Sequence, residues 1–84
     1  MNIIMYTKNN CPNCMRAEFM FSACPTPVNI EKRNVDENEE YKTELVDKYK
    51  SSTLPTLVFL KPEGERYYIG FEENLGKLQE ELGL

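Results

Sequence analysis

The chain has no histidine and no tryptophan, only three cysteines and four glycines among its 84 residues, and no excess of positive charge. Each scarcity removes a class of function. Without histidine there is no imidazole acid or base, and three thiolates fall short of the four ligands that a structural zinc normally takes. A metal or iron–sulfur knuckle would need a second chain to complete it. An odd, small number of cysteines also makes a poor framework for a secreted, disulfide-stapled fold, so a reducing, cytoplasmic location is the expectation. Lysine and arginine total 10 against 14 acidic residues, giving a net charge of −4, and no basic stripe is present to meet phosphates. Nucleic acid is therefore not an expected partner. No apolar run approaches the roughly 18 residues a membrane span requires, and the first residues lack the basic start and long apolar core of a signal peptide. The reading is a protein without a membrane partner that stays where it is made.

What is present is a globular composition, 40% hydrophobic and 29% charged. At this length a chain makes one domain, here residues 1–84, burying roughly 60% of its unfolded surface. A monomer is expected.

The organising stretch is Cys11-Pro12-Asn13-Cys14. It follows the apolar run Ile3-Ile4-Met5-Tyr6 and opens residues 15–21, which contain neither glycine nor proline. A strand, then CxxC, then a helix puts the first sulfur at a helix N-terminus. There free backbone N–H groups and the positive end of the macrodipole favour a thiolate. Cys14 follows one turn later on the same face. With Cys11 at the non-helical cap, the two sulfurs can bridge without unwinding the turn. Pro12 suits the first helical position, where its missing N–H has no partner to lose. The spacing predicts a reversible dithiol/disulfide centre.

In chain order, residues 3–7 read as a buried strand. Residues 12–22 read as a helix with Met15, Phe19 and Phe21 turned toward the sheet, stopped by Cys24-Pro25-Thr26-Pro27. Residues 28–35 read as a second strand. Asp36 and Glu39 form a capping pair for a helix over 37–50, whose inner positions are Tyr41, Leu45, Val46 and Tyr49. Leu57-Val58-Phe59-Leu60 is the most strand-like segment, and Lys61-Pro62-Glu63-Gly64 turns it back into residues 66–69. The last helix carries Phe71, Leu75, Leu78 and Leu82 on one stripe, with Glu72 and Glu73 in its first turn. The order βαβαββα, with one right-handed crossover and one hairpin, is an α/β fold: a four-stranded mixed sheet flanked by three helices.

With these elements placed, the chain resembles the glutaredoxins of the thioredoxin superfamily over nearly its whole length. Tyr6-Thr7-Lys8, followed by Cys11-Pro12-Asn13-Cys14, is similar to the start of small glutaredoxins. The resemblance implies a cis Pro55 facing the CxxC across a groove, and a Leu54 backbone that pairs with an extended disulfide substrate. It also implies glutathione as redox co-substrate, with no bound cofactor. Two departures bear on the electron source. Glutathione-using members commonly carry two glycines before the last helix and then a polar or acidic residue for the glutamyl end; here the segment is Gly70-Phe71-Glu72. A ring there would narrow the glutathione groove, and it is similar to the short redoxins that serve ribonucleotide reductase and are recharged by thioredoxin reductase. Asn13 stands where many members have tyrosine. Full thioredoxins, with a buried aspartate where Met5 stands, are less similar.

In the expected cycle, an exposed Cys11 thiolate attacks a substrate disulfide and a shielded Cys14 resolves the mixed disulfide. Lowering a thiol pKa from about 8.5 to ~7 requires roughly 2 kcal/mol, and an exposed helix terminus supplies ~0.3–1 kcal/mol. Lys8 is the candidate second source; its alternative is an ordinary loop lysine. Arg16 reads as a surface charge and Cys24 as an inert thiol. Tyr6 either shapes the active-site rim or packs in the core. Glu72 and Glu73 are helix-start residues first and ligand contacts second. The competing function is a binding module whose CxxC holds a partner without turnover.

Overall fold

The computed structural model describes all 84 residues. Four strands, β1 (Asn2–Thr7), β2 (Asn29–Asn34), β3 (Thr56–Lys61) and β4 (Gly64–Ile69), form one sheet in the order β2-β1-β3-β4. The first pair is parallel and the other two are antiparallel. Helix α1 (Pro12–Ala23) makes the crossover from β1 to β2, α2 (Glu39–Tyr49) links β2 to β3, and a 3-10 turn (Glu72–Asn74) leads into α3 (Leu75–Leu82). None of the three helices is long and apolar enough to cross a membrane.

The central strands explain their unbroken apolar runs. Successive strand side chains point to opposite faces, so a strand covered on both sides needs apolar residues at every position. Ile3, Met5, Leu57 and Phe59 pack with Ala17, Phe21, Leu78 and Leu82, which places α1 and α3 on one face. Ile4, Tyr6 and Val58 pack with Leu45 and Tyr49 of α2 on the other. The edge strand β2 carries Glu31, Lys32 and Arg33 in place of a long apolar run, which discourages pairing with another chain.

Helix α1 departs from the expected register. Cys14, Ala17 and Phe21 form its buried face, whereas Met15 and Phe19 are 67% and 75% exposed. Ala17 and Phe21, three and seven residues after Cys14, share its face and pack in the core, while 15 and 19 rotate out. Helix α2 starts two residues later than expected, because its cap is Asn38, whose Oδ1 accepts from Glu40 N at 2.9 Å, and not Asp36. Val46 is exposed, and Leu45 and Tyr49 carry the packing of α2. On α3 the buried positions are Leu78 and Leu82, with Leu75 largely exposed and Phe71 buried ahead of the helix.

Candidate functional site

Strand register gathers the site at one end of the sheet. Tyr6 lies opposite Thr56, and Thr56 lies opposite Ile69. The segments that follow β1, precede β3 and follow β4 therefore emerge together, bringing Cys11, Pro55 and Gly70 to the same end. The Leu54–Pro55 peptide bond is cis, Pro55 is buried, and its carbonyl accepts from Gly70 N at 3.0 Å. Gly70 has φ +93°, a conformation that a side chain would strain. Asn74 Nδ2 holds the same segment by donating to the carbonyls of Ile69 at 2.7 Å and Gly70 at 3.1 Å. On the other side of Pro55, Ser51 and Thr56 hydroxyls meet at 2.8 Å, and Thr56 Oγ1 donates to Thr53 O at 2.8 Å. These bonds satisfy buried hydroxyls and brace the loop before β3.

Cys11 occupies the N-cap of α1 with extended backbone, and Pro12 follows at the first helical position. Its Sγ accepts from Cys14 N at 3.2 Å. Cys11 and Cys14 are joined by a disulfide, with their Cα atoms 5.2 Å apart. The first turn holds no acidic side chain to oppose a thiolate. The expected contrast in exposure between the two cysteines is absent: Cys11 is 5% and Cys14 3% exposed. Both cysteines are buried in the bridged state.

Both cysteines line a cleft of about 730 Å³ between α1, the loop at 7–10, β2 and the turn before α2. A second cleft of about 330 Å³, between α2 and the loop carrying Leu54, shares one wall with it, Lys8. Lys8 makes no ion pair and lines the disulfide cleft. Leu54 lines the second cleft only.

The remaining candidates separate into two groups. Asn13 and Glu72 are joined through Arg16, whose Nη1 donates to Asn13 Oδ1 at 3.1 Å and to Glu72 Oε1 at 2.8 Å. Arg16 thus links α1 to the segment after Gly70, although an ion pair this exposed is worth at most about 1 kcal/mol. Phe71 and Tyr6 belong to the core. Phe71 is 7% exposed and packs with the α1/α3 cluster, so its ring does not stand in a groove. Tyr6, 1% exposed, is not a rim residue: its hydroxyl donates to Glu44 Oε1 at 2.8 Å and accepts from Arg33 Nη1 at 3.1 Å. Burial first, then the Glu44 hydrogen bond, pushes the Tyr6 phenol up to about 12. Burial and the Glu65 carboxylate do the same to Tyr49. Cys24 is half-buried, with its Sγ donating to Leu82 O at 3.7 Å.

A family model described as glutaredoxin matches residues 3–61, the span from β1 through β3 that includes the CxxC and the cis proline. The chain belongs to the glutaredoxin family. Like other members it is a thiol–disulfide redox protein, with Cys11 and Cys14 as its cysteine pair. Among solved structures, this glutaredoxin is similar to the thioredoxin-like protein BC3987, with 30% identity, a TM-score of 0.71, and coverage of 93% of this chain and 96% of that one. It shares its fold with thioredoxin O2 from Arabidopsis thaliana in the oxidized state at 22% identity and a TM-score of 0.63, covering 96% of this chain and 73% of that one. A thioredoxin from Plasmodium falciparum aligns at 18% identity and a TM-score of 0.56, covering 96% and 70%. The architecture is therefore thioredoxin-like. No curated protein matches the chain.

Two asparagines without a spacing signal of their own, and Asp36 in a role other than the expected helix cap, also shape the site. Asp36 accepts from Asn9 N at 3.0 Å, and Asn34 Nδ2 donates to Asn9 Oδ1 at 3.1 Å, tying the loop that delivers Cys11 to the β2–α2 turn. The density of asparagine, at positions 9, 10, 34 and 38, was the available signal. Asparagine favours loop hydrogen bonds and tolerates left-handed backbone, and Asn10 has φ 54°.

Proposed function

We propose that this glutaredoxin reduces disulfides through a Cys11/Cys14 dithiol–disulfide cycle. The observation that carries the reading is the Cys11 sulfur at the α1 cap, accepting the Cys14 N–H at 3.2 Å and lining an open cleft. An N–H so placed favours a thiolate at Cys11, because a hydrogen bond to a thiolate is stronger than one to a thiol. The thiolate attacks a substrate sulfur and one thiolate leaves. Cys14 then attacks the Cys11 sulfur, releasing the second thiol and forming the bridge. Glutathione mixed disulfides and protein disulfides, ribonucleotide reductase among them, are the proposed substrates, with glutathione as co-substrate and the cytoplasm as the compartment.

A second reading replaces glutathione by thioredoxin reductase as the electron source. It is favoured by the segment after β4, where a phenylalanine stands in place of a second glycine before the last helix.

The test is turnover with NADPH and either glutathione plus glutathione reductase or thioredoxin reductase. Cys11→Ser abolishes activity in both couples, and Cys14→Ser accumulates mixed disulfides on Cys11 that mass spectrometry detects. If both variants match the parent, the mechanism is wrong. Stoichiometric reduction with neither couple recharging the protein identifies a binding module in place of an enzyme.

A further inference from the structure

Strand β4 forms an edge of the sheet with an open row of backbone groups. Its ladder with β3 runs from Gly64 opposite Lys61 to Ile69 opposite Thr56, and continues to Gly70, whose N–H donates to Pro55 O at 3.0 Å. Antiparallel bonding alternates along a strand, so Gly64, Arg66 and Tyr68 turn their N–H and C=O groups toward β3. Glu65, Tyr67 and Ile69 turn theirs outward. Asn74 fits this parity, because the outward carbonyl of Ile69 is one that its Nδ2 takes, at 2.7 Å. Lysine, proline or a bulge commonly keeps such an edge from pairing with another strand. Residues 64–69 contain neither lysine nor proline, and their register with β3 is unbroken. The two charges on the strand are tied to their own molecule, Glu65 to Lys48 at 3.5 Å and Tyr49 at 3.2 Å, and Arg66 to Glu81 at 3.3 Å. Tyr67 and Ile69 are 47% and 36% exposed.

We propose that β4 pairs antiparallel with β4 of a second copy of this chain, joining the two sheets into one through a two-fold axis at Tyr67. In that register the strand is its own complement. Tyr67 exchanges N–H···O bonds with Tyr67 of the second copy, and Ile69 N donates to Glu65 O of the second copy. Glu65 then lies opposite Ile69, and Arg66 opposite Tyr68, a guanidinium beside a phenol ring, with no like charges facing each other. The neighbouring registers are poorer. One with Glu65 opposite Tyr67 sets Arg66 against Arg66, and one with Tyr67 opposite Ile69 carries Glu65 past the end of the strand. The other sheet edge, β2, has Glu31, Lys32 and Arg33 in its middle and is a weaker match for itself. Because the paired strands run in opposite directions, the Gly70 end of one copy meets the Gly64 end of the other. The two Cys11–Cys14 pairs therefore lie at opposite ends of the joined sheet, both open. One strand pair is a small interface, so the dimer is weak, half-formed at roughly 0.1–1 mM.

Sedimentation equilibrium of the full chain, oxidised and reduced, from about 10 µM to about 1 mM tests this. The mass is expected to rise toward that of two chains, equally in both redox states. Amide exchange followed by NMR at the two ends of that range reads the strand parity. By mass action the Tyr67 and Ile69 amides should exchange roughly two- to fivefold more slowly at the higher concentration, while those of Arg66 and Tyr68, bonded within the chain, keep their rates. Tyr67→Lys sets like charges on the two-fold axis, and Ile69→Lys guards the edge while the Tyr67 ring stays packed on Tyr49; both shift the chain toward monomer. Asn29→Lys, the same kind of change on β2, leaves the association as it was. A monomer mass at every concentration overturns the proposal. So does a dimer that is lost on reduction, which would be linked through Cys24, or one that survives both β4 lysines.

Discussion

The backbone N–H of Asn9 donates to the Asp36 carboxylate at 3.0 Å, joining two loops that are 27 residues apart in the chain. Val35 N donates to Thr7 O at 2.9 Å and Asn34 Nδ2 to Asn9 Oδ1 at 3.1 Å, so three bonds fasten the segment before Cys11 to the end of β2. The site is thus positioned by the parallel strand pair as well as by the helix that follows it.

Removing the Asp36 carboxylate is expected to loosen that fastening more than it unfolds the protein. Asp36 is exposed, so Asp36→Ala should cost only about 0.5–1 kcal/mol in urea unfolding. Hydrogen exchange at the Asn9 amide should accelerate in the same variant while amides in the middle of β1 keep their protection. Unchanged exchange at Asn9 would show that the loop holds its place without Asp36.

Lys8 is the free cation nearest the disulfide cleft, and its effect should be read on the reduced thiol. Lys8→Gln is expected to raise the pKa of the Cys11 thiol and slow its alkylation by iodoacetamide near pH 7 by roughly two- to fivefold, the range of an exposed charge interaction. The position alkylated, mapped by mass spectrometry, should be Cys11. Labelling that falls on Cys14 instead would reverse the roles of the two sulfurs.

Phe19 and Phe71 should behave oppositely on truncation despite their common side chain. Phe71→Ala removes a ring packed in the α1/α3 core and is expected to cost about 3–5 kcal/mol. Phe19→Ala alters an exposed ring on the outer face of α1 and should stay within ~0.5 kcal/mol. Comparable losses in urea unfolding would place Phe19 in contacts the fold does not contain.

Alkaline pH should weaken the α2 face of the sheet. The phenols of Tyr6 and Tyr49 are pushed up to about 12 from 10.0, so the folded state keeps protons that the unfolded state gives up. Their contribution is fully present below pH 10 and is lost as pH rises from 10 through 12. Each contributes on the order of 1–3 kcal/mol across that window. Unfolding free energies at pH 9 and pH 11.5 should therefore differ less in Tyr6→Phe than in the parent; an equal loss would show that Tyr6 does not supply the pH dependence.

Much of the fold was legible because its signals are local or periodic. The double-sided burial of β1 and β3 wrote itself as two unbroken apolar runs, and the Pro12 position together with the capping geometry announced where α1 begins. The buried face of α1 has no local mark, because Met15 and Phe19 are as apolar as Phe21, and packing of Ala17 and Phe21 against the sheet decides which of them is covered. Asp36, followed three positions later by Glu39, has the local pattern of a helix cap. In the fold, Asn38 caps the helix and Asp36 turns to a loop that no local rule associates with it. Tyr6 had two readings, rim or core, and its burial makes it core; the Phe71 ring, expected to narrow a groove, is buried in the core as well.

Spacing along the chain was enough for the cysteine pair and the order of elements. A cysteine at a cap, a proline after it and a second cysteine one turn on require no tertiary contact to bring two sulfurs within bridging distance. Only the tertiary structure decided what surrounds that pair. Strand pairing set Pro55 and Gly70 at the same sheet end and tied Asn9 to Asp36. It also left Lys8 without an ion-pair partner beside the disulfide cleft, because contacts between distant segments follow from register and packing and leave no spacing in the chain to read.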